Sequence, residues 1–427
     1  MIAAFMFAML VLGVPIGVAF ALVVMAKADA WNIDVSSLAS IPYDTVSSFP
    51  LLAIPLFLLG GELMNRGGLI RQLTAVCDAL LGWVRAPLGY IMILASALMG
   101  AITGSSVATV AAIGGTVGKE MTARGYPLGY TAALNASAAL LGVLIPPSIP
   151  LILYGSVVGV SITQLFTASI GPGVVMMLAF CVVHRLVVGR VLAGGQELKP
   201  AHSPRQGPGR EGLAKLLVRS IPALVLPILV LGGIYSGVFT PTEAAAVAAL
   251  YALAVTVIGR LTRVGELPGI FSRAAAASAA ILVIIGFTSI FNRAMVLEQI
   301  PQNIATYATT LTDSPLVFLL VVNVALLLIG MVMETNAATL LMGPLLAPAA
   351  AKFGIDPVHF AIILVTNIEL GLLTPPMAAN LYVAARTVGS NVISLLRYLA
   401  PFLLAAVAVQ ALITYVPQLS LWYRYIP

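Results

Sequence analysis

The chain has 427 residues, 8% charged and 60% apolar, against roughly 25% charged in soluble domains, and this composition excludes a water-exposed fold. Three histidines and two cysteines, Cys77 and Cys181, with no Cys-x-x-Cys pair, exclude a zinc or iron-sulfur centre and a disulfide framework. The net charge of +6 sits in loops flanking apolar segments, where membrane topology accounts for it and nucleic-acid binding does not.

An all-α integral membrane protein follows, because a hydrocarbon core of about 30 Å is crossed by roughly 20 apolar residues in a helix. In chain order, the first span covers 2–26; its apolar run is too long for a signal peptide and lacks an N-terminal charge, so it is read as retained. A second span covers 46–65. Residues 66–85 then place Leu69, Leu73, Val76 and Leu80 on one helical face, with Arg66, Arg71, Asp78 and Arg85 elsewhere, which predicts an arm helix lying flat at the interface. The segment 87–121 is split at Gly104, Ser105 and Ser106. Two spans or one re-entrant hairpin fit its length; a hairpin is favoured, because backbone at a mid-membrane tip is tolerated where protein or a watery cavity surrounds it. A helix at 126–155 is broken at Pro146 and Pro147, and a span at 160–190 follows. The Gly, Pro and charge-rich stretch 191–212 reads as a linker, leading into a connecting span at 213–236.

The second half repeats this order. Spans at 241–260 and 273–291 precede a second arm at 293–312, interrupted by Pro301. A second hairpin at 315–352 turns around Glu334, Thr335 and Asn336, a second broken helix at 357–388 carries Pro375 and Pro376, and a span at 395–418 ends in the tail 419–427. With the N-terminus inside, seventeen Lys and Arg fall on the cytoplasmic side, and only Lys27, Arg293, Lys352 and Arg424 fall outside. Gly104 to Thr109 aligns with Glu334 to Thr339 at an offset of 230, and Ile145 to Ser148 with Thr374 to Met377 at 229. Asn65–Arg66 and Asn292–Arg293, offset by 227, open the two arms. One unit, 1–190, is thus repeated as 240–418 across the connecting region 191–239. The odd number of intervening crossings inverts the second copy, the pattern of alternating-access transporters.

Taken singly, hydroxyls in membrane helices bond back to their own carbonyls and Pro-Pro merely kinks a helix; their recurrence after the same arm points to a paired site. At each tip a half-helix begins with unpaired amides that can receive an anion, and the preceding carbonyls can hold a small cation. Each proline removes an amide donor and frees carbonyls upstream, here those of Leu141 to Leu144 and of Leu370 to Leu373. The first candidate Na⁺ site comprises Ser105, Ser106, Thr109, Asn135 and the Leu144 carbonyl, near Ser137. The second comprises Thr335, Asn336, Thr339, Thr374 and the Gly371 carbonyl. All are hard oxygen donors suited to Na⁺. Ser106, Ser148, Asn336, Asn367 and Asn380 are the candidate substrate contacts. Glu334 has no acidic counterpart at Gly104, so the two tips differ chemically. Glu243 reads as the end of a capping box begun by Thr240, while Glu334 and Glu369 stand inside the repeat motifs as candidates for a coupling proton, a backbone bond or an ion pair. His184, His202 and His359 are scattered and suggest no relay.

The arm, the Gly-Ser-Ser tip, Ile145-Pro-Pro-Ser148, Met333-Glu-Thr-Asn-Ala-Ala-Thr339 and Asn367-Ile-Glu-Leu-Gly-Leu-Leu-Thr-Pro-Pro376 resemble the large membrane subunit of tripartite ATP-independent periplasmic (TRAP) transporters, within the ion-transporter superfamily, over essentially the whole chain. The resemblance implies an elevator-type, sodium-coupled importer of small organic anions in the bacterial inner membrane. A periplasmic binding protein would deliver the substrate, and the chain would work beside a small four-helix membrane subunit. Because the chain opens directly on the first span, that subunit is expected as a separate partner. Hairpins and broken helices would form a moving transport domain, the remaining spans a scaffold, and the arms would connect them.

A rival reading is a stand-alone, proton-coupled anion carrier of the same superfamily that uses Glu334 or Glu369. An enzyme is disfavoured because no nucleophile–base pair and no Gly-x-x-x-x-Gly-Lys loop occurs.

Overall fold

The computed structural model describes residues 9, 12–14, 16–28, 31, 34–81, 84, 86–193, 210–376 and 378–425. Most of the linker 191–212, the start of the first span, Arg85, His202 and Met377 lie outside the described residues. Among the described residues there is no strand. The first half runs α1 (Ile16–Lys27), α2 (Ala53–Arg66), the arm α3 (Leu69–Leu81), α4 (Pro87–Thr103), α5 (Ser106–Ile113), α6 (Leu128–Ala138), α7 (Ile149–Val158) and α8 (Ile162–Ala193). After α9 (Arg210–Tyr235) come α10 (Pro241–Ile258), α11 (Leu267–Leu297), the arm α12 (Ile300–Leu311), α13 (Pro315–Gly330), α14 (Thr335–Lys352), α15 (Pro357–Gly371), α16 (Ala379–Val388) and α17 (Val392–Tyr415).

Both hairpins form: α4 and α5 meet at Gly104–Ser105, and α13 and α14 meet at 331–334. The return limb of the first hairpin continues from α5 through a π-helical stretch, Gly114–Gly118, to Lys119–Ala123. Both broken helices form as well, α6 with the turn Leu141–Leu144 against α7, bent by 40°, and α15 against α16. The Pro146–Pro147 and Pro375–Pro376 peptide bonds at the two breaks are cis.

The helices sort into two layers. Helices α1, α2, α9, α10 and α11 pack on one another, and the hairpins and broken helices form the second layer. The second halves of the broken helices cross over: α7 packs against α14, where Gly343 faces Tyr154, and α16 packs against α5 and the π-helical stretch after it, where Gly114 faces Thr387. The two copies therefore interlock, and each hairpin rests on the other copy's broken helix. The arms bridge the layers, α3 between α9 and α4 and α12 between α11 and α14.

The layers correct three expectations. The spans 160–190 and 395–418, expected in the scaffold, are α8 and α17, which pack on α4, α6 and α15 and belong with the hairpins. Their apolar faces are completed by the broken helices, whose interrupted backbones need protein on all sides. The second arm begins at Ile300 rather than 293, because α11 meets no breaker at 292–293 and runs on to Leu297. Pro301 does not interrupt that arm; it occupies its first turn, where a missing N–H leaves no bond unmade.

Side-chain pairs join groups that the charge pattern assigns to one face. Glu62 Oε1 accepts from Arg273 Nε at 2.7 Å and from Arg66 Nε at 3.4 Å. Lys352 Nζ donates to Thr306 Oγ1 at 2.9 Å, and Arg424 Nη1 to Asp356 Oδ2 at 2.7 Å. Burial pushes the Asp356 carboxyl up, but Arg424 and the amides of His359 and Val358 outweigh it and hold the group below its ordinary range. Glu243 and Thr240 form the expected capping box, with Thr240 N–H to Glu243 Oε2 at 2.8 Å and Glu243 N–H to Thr240 Oγ1 at 3.3 Å.

Candidate functional site

The first tip is built on Gly104, whose left-handed backbone (φ 62°) ends α4 at a conformation that side-chain-bearing residues seldom adopt. Ser105 is extended and caps α5, its hydroxyl accepting the Ala108 N–H at 3.4 Å. The Thr109 hydroxyl donates to Ser105 O at 2.8 Å. The first residue of α7 is tied to the tip, since Ile149 N–H donates to Gly104 O at 3.1 Å. Contact this close needs bare backbone on both sides. A Cβ on Gly100 would meet Gly142 Cα and Leu141 O at 2.7 Å, and one on Gly142 would meet Thr109 Oγ1 at 2.5 Å and Ser105 O at 3.0 Å.

The second tip repeats the plan with different chemistry. Glu334 caps α14, accepting the amides of Asn336 (3.0 Å) and Ala337 (3.2 Å) and the Asn336 side-chain amide (2.6 Å). Thr335 Oγ1 donates to Glu369 Oε1 at 2.8 Å. Glu369 is 1% exposed, and the Ser106 hydroxyl of the first tip stands beside its carboxyl, short of full hydrogen-bond geometry at the second oxygen. Gly330 and Gly371 form the matching close approach, with Gly371 Cα 3.1 Å from where a Gly330 Cβ would stand. The pairs Gly100–Gly142 and Gly330–Gly371 share the offsets of the motifs, 230 and 229. The signal was present in the sequence, but glycines in apolar helices do not announce which backbone they touch.

Both tips face one small cavity of about 40 Å³, lined by Ser105, Ser106, Glu334, Thr335, Asn336 and Glu369, with Val143 and Leu372 from the breaks. At the offset of 229, Glu369 corresponds to Leu140 in the first copy, so a broken helix brings a carboxylate from one copy only to a cavity that both copies build. A space of this size holds water or an ion.

Other residues lie elsewhere. Of the candidate substrate contacts, Ser106 and Asn336 line the cavity, whereas Ser148, Asn367 and Asn380 do not. Asn367 Nδ2 instead donates to Asn323 O (3.0 Å) and Oδ1 (2.6 Å), and Asn323 Oδ1 also accepts from Gln410 Nε2 (2.9 Å) and Thr414 Oγ1 (3.2 Å). That network clamps α13, α15 and α17 together, and no spacing rule links Asn323 to it in sequence. Asn380 is fully buried with both amide atoms unpartnered, on a helix that packs against the opposite copy. Asn135 Nδ2 donates to Val110 O at 2.9 Å, fastening α6 to α5.

The freed carbonyls are fewer than the prolines suggest. Leu141 O accepts Ile145 N–H at 2.9 Å, Leu370 O accepts Leu373 N–H at 3.0 Å and the Thr374 hydroxyl at 3.2 Å, and Gly371 O accepts Thr374 N–H at 2.9 Å. The tight turn before each Pro-Pro recaptures these groups. Carbonyls four residues before a proline, those of Gly142, Val143 and Leu372, face positions without an amide hydrogen. Buried oxygens at Asn135 (Oδ1), Ser148 and Thr339 make no hydrogen bond and are hard donors of the kind Na⁺ takes, but none of them lines the tip cavity. Among the described residues no group of three or more His, Cys, Asp and Glu stands together to hold a metal. His184 is structural: it meets the Tyr130 hydroxyl at 2.6 Å and Ala86 O at 3.1 Å. His359 Nε2 stands 3.3 Å from Thr414 O.

Comparison with known proteins places this geometry. Residues 3–419 match the family model described as "Tripartite ATP-independent periplasmic transporter, DctM component". The chain is 40% identical over 388 residues to the C4-dicarboxylate TRAP transporter large permease protein of Pseudomonas aeruginosa, covering 91% of this chain and 89% of that protein. It is 36% identical over 378 residues to the sialic acid TRAP transporter large permease protein of Vibrio cholerae, covering 88% and 86%. Among solved structures, the Alcanivorax borkumensis YdaH transporter shares the fold, with a TM-score of 0.64 at 16% identity over 91% of this chain and 88% of that one.

Proposed function

Because the chain belongs to the DctM component family of tripartite ATP-independent periplasmic transporters, we propose that it imports a small organic anion, with Na⁺ as the coupling ion and an elevator movement of the hairpin layer. It would work with a small four-helix membrane subunit and a periplasmic binding protein, N-terminus in the cytoplasm. The observation that carries this reading is the paired site: two glycine-held tips, each braced by a broken helix, facing one cavity. The named cargoes of the two relatives, C4-dicarboxylates and sialic acid, share a carboxylate group, which supports a carboxylate as the recognised feature here. In this reading the amides and hydroxyls at 105–106 receive the anion beside Asn336, while the first amides of α14 stay with Glu334 and the Thr335 hydroxyl with Glu369. Na⁺ bound among the oxygens of each tip and break would offset its charge. Two layers joined by flat arms suit a rigid movement of one past the other.

The chain reconstituted with its two partners is expected to take up a carboxylate at a rate that rises with external Na⁺ and with an inside-negative potential. Equal uptake after Na⁺ is replaced by K⁺ would sink the coupling. Ser106→Ala and Asn336→Ala are each expected to lower that uptake about tenfold, the loss of roughly 1–3 kcal/mol for an unpaired polar contact. Thr242→Ala, at a helix start away from the cavity, should stay within about twofold. Tip variants with wild-type rates at equal membrane abundance would move the site elsewhere.

Buried Glu369, which borders the tip cavity, favours a second reading in which a proton is the coupling ion. Glu334 leaves that reading, since its carboxylate is committed to capping α14. Uptake driven by a pH gradient alone, without binding protein, would select it.

A further inference from the structure

Between scaffold helices α2 and α11 and the first hairpin lies a separate cavity of about 490 Å³, bordered by Glu62, Asn65, Thr103, Thr116 and Arg273. Its volume is in the range of small-molecule sites, and it adjoins the tip cavity through Leu58, which lines both. Among the described residues Arg273 is the one cation on its wall and Glu62 the one carboxylate. Glu62 bonds both Arg273, on the other scaffold helix, and Arg66, one turn along α2. The wall itself carries one charge of each sign, but Arg66, just off it, shares the same carboxylate, so the mouth of the vestibule at Glu62 is net positive. The arginine side chains are 46% and 54% exposed, so each pair is worth only about 0–1 kcal/mol. A guanidinium held that loosely exchanges one carboxylate for another at little cost. Helices α2 and α11 also pack directly on each other.

We propose that Arg273 is an anion-receiving residue on the release path: an organic anion moving from the tips through the vestibule displaces Glu62 from Arg273, Glu62 falls back on Arg66, and the pair re-forms as the anion departs. This rests on reading the Arg66 and Arg273 face as cytoplasmic and the chain as an anion importer. Its first test needs no transport. In a Thr116→Cys background with Cys77 and Cys181 replaced by alanine, the full complex in inside-out vesicles is labelled with an anionic methanethiosulfonate sulfonate and with a neutral methanethiosulfonate. The anionic reagent is expected to react about tenfold faster than the neutral one, as a cleft of one charge sign concentrates its counter-ion. Arg273→Gln should abolish the preference and Arg273→Lys keep most of it. A preference near one, or one unchanged by Arg273→Gln, overturns the proposal whatever the uptake assays give. In uptake, Arg273→Gln should lower the rate about tenfold, and the charge exchange Glu62→Arg with Arg273→Glu should not recover it. Recovery by the exchange would show that the pair is only a clamp between helices, and would also overturn the proposal.

Discussion

Gly371→Ala is expected to abolish uptake and to deplete the folded protein from the membrane, and Gly142→Ala to do nearly as much. A Cβ on Gly371 would stand 2.5 Å from Gly330 Cα and 2.7 Å from Met331 N, with backbone on both sides. Backbone cannot swing away as the end of a side chain can, so the hairpin must separate from the broken helix. Overpacking of well-packed cores costs about 1–3 kcal/mol even where side chains yield, and here the yielding parts are the tip and the break themselves. At Gly142 the first obstacle is the Thr109 hydroxyl, which can shift, but Ser105 O follows at 3.0 Å. Gly189, exposed on α8 with open space where a Cβ would stand, supplies the contrast. Gly189→Ala should leave uptake unchanged and raise thermal stability slightly, since alanine favours helix over glycine by about 1 kcal/mol. Melting in detergent and uptake in proteoliposomes read both effects. Wild-type abundance and transport in Gly371→Ala would show that the second hairpin and its broken helix do not touch as described.

Glu369→Leu is expected to leave a folded protein that transports at about one hundredth of the wild-type rate. The substitution makes the second copy resemble the first, where Leu140 occupies the corresponding position, so the shape is one this fold already accommodates. What disappears is the acceptor for Thr335 and a buried carboxylate that borders the tip cavity beside Ser106. Removing a buried hydrogen-bond partner typically costs about 1–3 kcal/mol, and a charged group that takes part in binding costs more. Glu369→Gln separates the two contributions, because it keeps an oxygen for the Thr335 hydroxyl and discards the charge. If the charge serves the site, Glu369→Gln should fail nearly as completely as Glu369→Leu. If it recovers most of the activity, the residue is a brace for Thr335. Unimpaired uptake in Glu369→Leu would remove the carboxylate from the mechanism altogether.

Membrane class, helix order, both arms, both hairpins and both proline breaks were legible in the sequence, because each follows from a local quantity. Run length reports a crossing, one-sided periodicity reports an arm, and a Pro-Pro pair reports a break, whereas single prolines inside α8, α9, α14 and α17 break nothing. The duplication was legible too, since equal lags of 230 and 229 survive any arrangement in space. Contacts between elements distant in the chain were not legible. Glu62 and Arg273 are 211 residues apart, and nothing in either neighbourhood names the other. Asn367 and Asn380 carry the same amide near the same proline pair, yet one is spent on Asn323 and the other sits on a helix packed against the opposite copy. Helix packing alone decides which partner each meets.

The carbonyls show the same division at shorter range. A proline's missing amide can be read from the sequence, but whether the preceding carbonyl stays free depends on how tightly the turn closes. Leu141, Leu370 and Gly371 were recaptured by amides in their own turns. Composition and periodicity therefore determined that this chain is a duplicated membrane protein with tips and breaks at matched places. Tertiary structure decided that α8 and α17 belong with the hairpins, that bare glycine backbones hold the tips, and that Glu369 borders their shared cavity. The physical reason is that propensity, hydrophobicity and repetition are properties of a segment, whereas a close approach or a binding cavity is a property of the segments that meet there.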